Sequence, residues 1–230
     1  MANTARNKPG AVQATADESK ALDNLQAFYE KNKKRINTGT TVILVLVVGV
    51  LAYFKLYKGP MEDKAATAMH FPQTYFGMDS LDKAMQGDGQ HPGFIKIMKK
   101  YSGTRQANLC HYYIGMCYLH KGDFKKAISE LEDFDGKGTL VQSAAYGALG
   151  DAYMENGNTE KGIDYYNKAA ANKDDIMLTP TYLFRAGLAY ESQNKPEDAK
   201  KMYIRVRDEF PTSEQARDID KYLARLGVLN

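Results

Sequence analysis

The chain has 230 residues, no tryptophan and a formal net charge of +3, from 31 basic and 28 acidic side chains. The positive excess lies before residue 59, because residues 59–230 hold 22 basic and 24 acidic side chains. A surface that binds nucleic acid needs clustered basic residues, so this near-neutral bulk excludes nucleic acid as the expected partner. The length allows one ordinary domain with an extension.

Residues 1–36 are predicted to form a cytoplasmic tail. Residues 1–19 are polar and contain proline and glycine, a composition typical of disorder. From residue 20 onward the residues form an amphipathic stripe at helical spacing. The stripe consists of Leu22, Leu25, Phe28, Tyr29 and Asn32. This amphipathic helix has two open interpretations: it lies on the inner surface of a membrane, or it docks onto a partner protein.

An uncharged segment of 19 residues follows, over residues 36–54. As a helix it is about 28 Å long, which matches the hydrocarbon core of a bilayer. We therefore predict a single transmembrane helix over residues 37–57, with Tyr53 and Tyr57 where an aromatic belt is expected. A cleaved signal peptide would need a short leader and a small-residue cleavage site, and neither is recognisable here.

The basic residues around this segment predict its orientation. Those before it are Lys31, Lys33, Lys34 and Arg35, and those directly after it are Lys55 and Lys58. By the positive-inside rule, the N-terminus is expected in the cytoplasm and residues 58–230 on the far side of the membrane. Lysines on both sides also disfavour a buried core helix.

Residues 62–101 are predicted to form a degenerate helical repeat. Helices are expected over residues 64–76, 81–86 and 94–101, with a loop rich in glycine at residues 87–93. The aspartates near this loop lack the alternating spacing of a calcium-binding loop, so no metal is expected there.

Three segments further along the chain share one pattern. Each contains a glycine followed three residues later by a tyrosine, and Gly115, Gly150 and Gly187 are spaced by 35 and 37 residues. The pattern resembles the tetratricopeptide repeat, a pair of antiparallel helices with a period of about 34 residues. The predicted units are residues 108–141, 143–176 and 180–212, followed by a cap helix over residues 213–226.

In this repeat pattern, small residues let the paired helices approach closely while aromatic side chains wedge between them. Glycine replaces the usual alanine in the second unit, and the tryptophan that opens the pattern is absent from all three. The predicted packing residues are Gly115, Tyr118, Ala127, Gly150, Tyr153, Gly162, Gly187, Tyr190 and Ala199. We also expect Thr179 to cap the third unit's first helix, and Thr212 with Gln215 to form a capping box.

No catalytic, cofactor-binding or metal-binding motif is recognisable in the sequence. Cys110 and Cys117 fall on one predicted helix with Cα atoms about 10 Å apart, which is too far for a disulfide. The four histidines lack the paired spacing of metal ligands, and His111 occupies a packing position of the repeat. The chain is therefore predicted not to be an enzyme and to need no cofactor.

The remaining candidate site is the concave groove of the repeats. The resemblance implies that the first helix of each unit lines this groove at its second, fifth, ninth and twelfth positions. These positions are mostly apolar here, which suits loosely specified polypeptide partners. The predicted groove residues are Leu109, Tyr112, Met116, Leu119, Asp151, Met154, Phe184, Leu188 and Glu191, with Ala144, Gly147 and Thr181 at smaller positions. The sequence leaves open whether the protein's own helices cover this groove.

The whole layout resembles one family, the ancillary subunit of the bacterial Sec translocon. The shared features are the amphipathic segment at residues 25–34, the single membrane helix and the repeat domain. Residues 81–84, 94–97 and 101–104 look like the version found in Bacteroidetes. The resemblance implies a single-pass inner-membrane protein with a periplasmic C-terminal domain. Its implied partners are the Sec translocon, a membrane-anchored prolyl-isomerase-like chaperone and emerging polypeptides; the alternative is a static scaffold of another envelope complex.

Overall fold

The computed structural model describes residues 16–228 and divides the chain into two compact units, residues 1–57 and 58–230. Every regular element in the described part is helical, with one isolated β-bridge between Gly87 and Pro92. The predicted fold class, all-α with one long apolar helix at the N-terminal end, is confirmed.

The first unit contains helix α1, which spans Ala16–Ala52 and leads into a π-helical turn at Tyr53–Lys58. The disorder predicted for residues 1–19 falls, up to residue 15, outside the described residues. Residues 16–19, which were also predicted to be disordered, are helical, and α1 begins at Ala16.

The central part of this helix is apolar on all sides. Val42, Ile43, Leu44 and Val45 cover a full helical turn, and each is more than half exposed. An 18-residue stretch of the helix is apolar enough for a membrane span, and none of it is buried within the described structure. By length and composition the helix is able to cross a membrane, since its backbone polar groups are satisfied within the helix.

The second unit consists of short helices that pack against their neighbours in sequence, chiefly α6 with α7, α8 with α9 and α10 with α11. Short connections make these neighbours antiparallel. The helices are α2 (Gly59–Ala68), α3 (His70–Gly77), α4 (Leu81–Gln86), α5 (Phe94–Lys100), α6 (Arg105–His120), α7 (Phe124–Asp133), α8 (Leu140–Glu155), α9 (Thr159–Ala169), α10 (Leu178–Ser192), α11 (Pro196–Glu209) and α12 (Ile219–Arg225).

The helix predicted over residues 64–76 is two helices in the structure. Helix α2 ends at Ala68 and α3 begins at His70. Pro72 explains the break, because it has no N–H to donate and its ring displaces the carbonyl four residues earlier, that of Ala68. Pro72 is itself buried.

One carboxylate fixes the loop at residues 87–93. Asp88 accepts the hydroxyl of Tyr75 at 2.6 Å and the backbone N–H groups of Gln90 and His91 at 2.9 and 2.6 Å. These hydrogen bonds, that of Tyr75 first, hold the pKa of Asp88 well below its usual range. The carboxylate therefore serves to order the loop against α3.

The cap predicted at Thr179 is wrong. Thr179 lies inside α10 and is fully buried. Asp175 caps the helix instead, because its Oδ1 accepts the backbone N–H groups of Met177 and Leu178 at 3.0 and 2.8 Å. The loop before α10 turns the Asp175 side chain inward, and the helix consequently begins earlier than predicted.

The capping box predicted at Thr212 and Gln215 is also wrong. The hydroxyl of Ser213 accepts the N–H of Ala216 at 3.2 Å, and the Gln215 amide donates to Thr181 on α10 at 3.0 Å. A 3₁₀ turn at Gln215–Asp218 therefore precedes α12, where a single α-helix over residues 213–226 was expected. The hydrogen bond between Gln215 and Thr181 accounts for the difference between the predicted helix and the observed turn.

Candidate functional site

Each repeat brings its two helices together at one glycine. The glycine faces the side chain 16 residues later, as Gly115 does with Leu131, Gly150 with Tyr166 and Gly187 with Tyr203. A methyl group at Gly115, for example, would lie 2.6 Å from Cγ of Leu131. The absence of a side chain at these three positions therefore sets the close separation of the paired helices.

The other predicted packing residues lie at the same helix pairs. Ala127 on α7 and Ala199 on α11 are 0% exposed. Tyr153 is buried, whereas Tyr118 and Tyr190 are half-buried. The second helices thus contribute small residues where the first helices contribute glycine and tyrosine.

Asp151 joins two repeats through a polar cluster. It accepts the Tyr166 hydroxyl at 2.7 Å and the Arg185 guanidinium at 2.6 Å. Burial, and then Asp151, raises the pKa of Tyr166, and burial raises the pKa of Tyr182 to about 12. The ring of Tyr182 also fills the position over Gly147, which was expected to line the groove. Asp151 and Gly147 therefore serve packing between repeats.

A second cluster has the same arrangement one repeat later. Glu191 accepts the Tyr203 hydroxyl at 2.6 Å and Arg225 at 2.7 Å. Arg225 lies over the ring of Tyr222, 4.9 Å from its centroid. In the same way, Arg185 lies 5.8 Å from the ring centroid of Tyr182. In both clusters the arginine follows the acid by 34 residues. Helix α12 thus takes the place of a further first helix and closes the array.

We expect Asp151 and Arg185 to be coupled by about 1 kcal/mol. Their side chains are 32% and 42% exposed, so solvent screens the pair and its coupling stays modest. A double-mutant cycle with Asp151→Asn and Arg185→Gln, followed by urea unfolding, measures this value. The surface pair Asp123 and Lys126 is the control, and an equal coupling there would contradict the prediction.

Four predicted groove residues form a row along α6: Leu109, Tyr112, Met116 and Leu119. All four are half-buried, and their inner sides pack against the buried residues of α7 and α8. Burial raises the pKa of the Tyr112 hydroxyl. This α6 row is therefore an apolar strip that is anchored in the core and partly open to its surroundings.

The remaining groove positions differ in exposure. Phe184 packs edge-on against Tyr222 of α12, with 4.9 Å between ring centroids. Met154 fills the space over Gly162, where a methyl group would lie 2.7 Å from its Cγ. Leu188 is 40% exposed. The protein's own helices thus cover the groove near its C-terminal end, while the α6 row and Leu188 stay accessible.

The second unit also holds thiols and imidazoles without an evident chemical role. Cys110 and Cys117 are free and buried, and burial raises the pKa of both thiols to about 12, which keeps them protonated and unreactive. The ring of His111 lies 2.8 Å from Glu130. Within residues 16–228, no group of three or more His, Cys, Asp or Glu side chains is placed to hold a metal ion.

The paired helices, their close glycine contacts and the closing helix define a helical-repeat solenoid. Two stretches, residues 143–175 and 181–213, match families described as tetratricopeptide repeat. The second unit therefore carries tetratricopeptide repeats, which present extended concave surfaces for protein–protein interaction. No curated protein is significantly similar to the chain.

Proposed function

We propose that this chain is a membrane-anchored, non-catalytic protein-binding module that assists the Sec translocon on the periplasmic side of the inner membrane. The observation that carries the proposal is the α6 row, an apolar strip that stays partly open on a repeat fold used for binding proteins. The resemblance in layout adds the translocon and a membrane-anchored prolyl-isomerase-like chaperone as partners.

The topology belongs to the same proposal. A single span over residues 37–57 leaves the basic cluster at residues 31–35 in the cytoplasm and residues 58–230 in the periplasm. A chain that emerges from the translocon would then meet the repeat domain directly. The amphipathic part of α1 stays on the cytoplasmic side, at the membrane surface or on a partner.

The side-chain chemistry of the α6 row suits such clients. Met116 and the leucines offer flexible or branched apolar surface without directional hydrogen bonds, so they accept many sequences. Tyr112 adds a large ring that offers further apolar contact area. Emerging polypeptides expose apolar side chains that this strip is able to cover until they fold.

We expect Met116→Glu to weaken capture of an unfolded polypeptide by about tenfold, because a carboxylate would be desolvated against the apolar client. The measurement is photo-crosslinking from position 112 of the full chain to a translocating substrate. Met78→Glu is the matched control, since Met78 is 68% exposed and is not part of the α6 row.

Stability decides how a loss of capture is interpreted. Met116 is half-buried, so the melting temperature of Met116→Glu must be compared with that of the parent. If Met116→Glu still captures the substrate although its melting temperature falls strongly, the groove proposal is contradicted. Phe184 is a poorer probe than its sequence position suggests, because its ring packs against Tyr222.

A static scaffold of another envelope complex is the second candidate. The observation that favours it is the coverage of Phe184 and Glu191 by α12, which removes the C-terminal part of the groove from clients. Co-purification in mild detergent separates the two proposals. A scaffold keeps the same partners with and without a translocating substrate, whereas a client-binding module gains the substrate as an adduct.

A further inference from the structure

The helices α6, α8 and α10 are the first helices of successive repeats and run in the same direction, because each pair of neighbours is antiparallel. Their first residues therefore share one edge of the second unit. We name this the entry edge and define it by the loops at residues 101–105, 134–140 and 170–178. These loops follow α5, α7 and α9, respectively.

The entry edge presents strongly exposed aliphatic side chains. Leu140 is 61% exposed, Ile176 is 71% exposed and Met177 is 77% exposed. Exposed apolar side chains that lie together mark an interaction surface, whereas a single scattered leucine needs no explanation. The spacing between Gly150 and Gly187 is 37 residues, against 35 between Gly115 and Gly150. The two additional residues lie in the loop that carries Ile176 and Met177.

This loop is held firmly in the conformation that exposes them. Asp175 is turned inward, with 9% exposure, and accepts the N–H groups of Met177 and Leu178. The buried hydroxyl of Thr179 donates to the carbonyl of Asn172 at 2.5 Å. Because Asp175 and Thr179 face the inner side, the loop directs Ile176 and Met177 outward.

The start of α2 lies at the same edge. The carboxylate of Glu62 accepts the backbone N–H of Arg105, the first residue of α6, at 3.0 Å. A cleft of about 620 Å³ between Lys58 and the loops at 101–105 and 134–140 lies beside this contact. The entry edge therefore includes the first residues of the second unit.

If the first unit is the proposed membrane anchor, the chain enters the second unit at this edge. Lys58 follows directly after the predicted span, and Glu62 is about 6 Å further along at helical rise. The loops also carry Lys137 and Lys173 together with Asp135 and Asp174. Because these charges roughly balance, the aliphatic side chains and not a net charge distinguish the surface.

We infer that the entry edge rests on the lipid bilayer, with Leu140, Ile176 and Met177 inserted among the headgroups. This inference rests on the membrane anchor of the proposed function. Side chains of this kind bind by burying apolar surface at the headgroup boundary. The contact would hold the α6 row at a fixed height above the membrane, near the point where a client emerges.

The absence of tryptophan from the chain makes a direct test available. Met177→Trp and Leu140→Trp each introduce a single fluorophore at a position that is already exposed. Met78→Trp is the control, because Met78 is 68% exposed and lies next to Asp79, which approaches His120 at the opposite end of α6. The full chain is reconstituted in vesicles of phosphatidylcholine with brominated acyl chains.

We expect blue-shifted emission at positions 140 and 177 and about twofold stronger quenching by the brominated lipid than at position 78, as shallow insertion requires. Equal quenching at positions 177 and 78 in chains that float with the vesicles would overturn this inference and leave the anchor intact. Chains that fail to float would overturn both. A blue shift without lipid quenching would reveal a second copy or another protein on this edge, and would also overturn it.

Discussion

Raising the pH from 10 to 12 is expected to unfold the second unit cooperatively. Tyr166, Tyr182 and Tyr203 are each at least nine-tenths buried. Burial raises the pKa of Tyr182 to about 12, and burial together with Asp151 or Glu191 raises the pKa of the other two further. These hydroxyls therefore stay protonated in the folded protein at pH values where they ionise in the unfolded chain.

Proton linkage gives the direction in which the stability of the fold changes with pH. Below pH 10 these tyrosines are neutral in both states, and their packing stabilises the fold fully. Between pH 10 and the raised pKa values the unfolded chain releases protons that the folded protein retains, so stability falls as the pH rises. Each tyrosine contributes about 1.4 kcal/mol per pH unit, and the three together roughly 4 kcal/mol per unit, against a typical total of about 5–15 kcal/mol.

Tyrosinate absorbance and circular dichroism, recorded together across this range, measure the effect. Both signals should change in one step. Tyr182→Phe should move the midpoint to higher pH, because it removes one raised pKa while keeping the ring over Gly147. Tyr29→Phe, at a site 45% exposed on α1, should leave the midpoint unchanged. Gradual absorbance change with an intact helical signal would contradict the prediction.

The repeat pattern was readable from the sequence because its determinants are local. Gly115, Gly150 and Gly187 recur at nearly constant spacing, and the helices that carry them follow from apolar periodicity. The break at Pro72 was missed because the helical pattern on either side of it is strong. A proline's effect on the carbonyl four residues earlier outweighs such a pattern.

Side-chain contacts between residues that are distant in the sequence could not be predicted from the sequence in the same way. The acids Asp151 and Glu191 occupy groove positions, yet each meets an arginine 34 residues later. The spacing is visible in the sequence, but the pairing becomes evident only once successive repeats are stacked. Asp175 is similar, since its role as a cap depends on a loop conformation that local propensity does not specify.

A methyl group at Gly187 is expected to destabilise the protein by about 2 kcal/mol, the usual range for overpacking a close contact. The methyl would lie 2.8 Å from Cδ1 of Tyr203 and would overlap its Cε1 still more closely. Tyr203 is 0% exposed and its hydroxyl is held by Glu191, so the ring has nowhere to move. The two helices of the third repeat must separate instead.

Gly77→Ala is the matched control for Gly187→Ala. Gly77 also lies at a helical position, but a methyl group there meets nothing within 4 Å. Alanine should therefore stabilise α3 by up to about 1 kcal/mol, because it costs less backbone entropy than glycine in a helix. The two substitutions are chemically identical and are expected to change the free energy of unfolding in opposite directions.

Urea unfolding of the full chain, followed by circular dichroism, measures both changes. The overlap with the ring also predicts that Gly187→Ala costs less in a Tyr203→Ala background, since the ring atoms that the methyl group would meet are then absent. That double-mutant comparison isolates the contact from any general effect on helix stability. An equal cost in both backgrounds would mean that the Tyr203 ring does not limit the approach of α10 and α11.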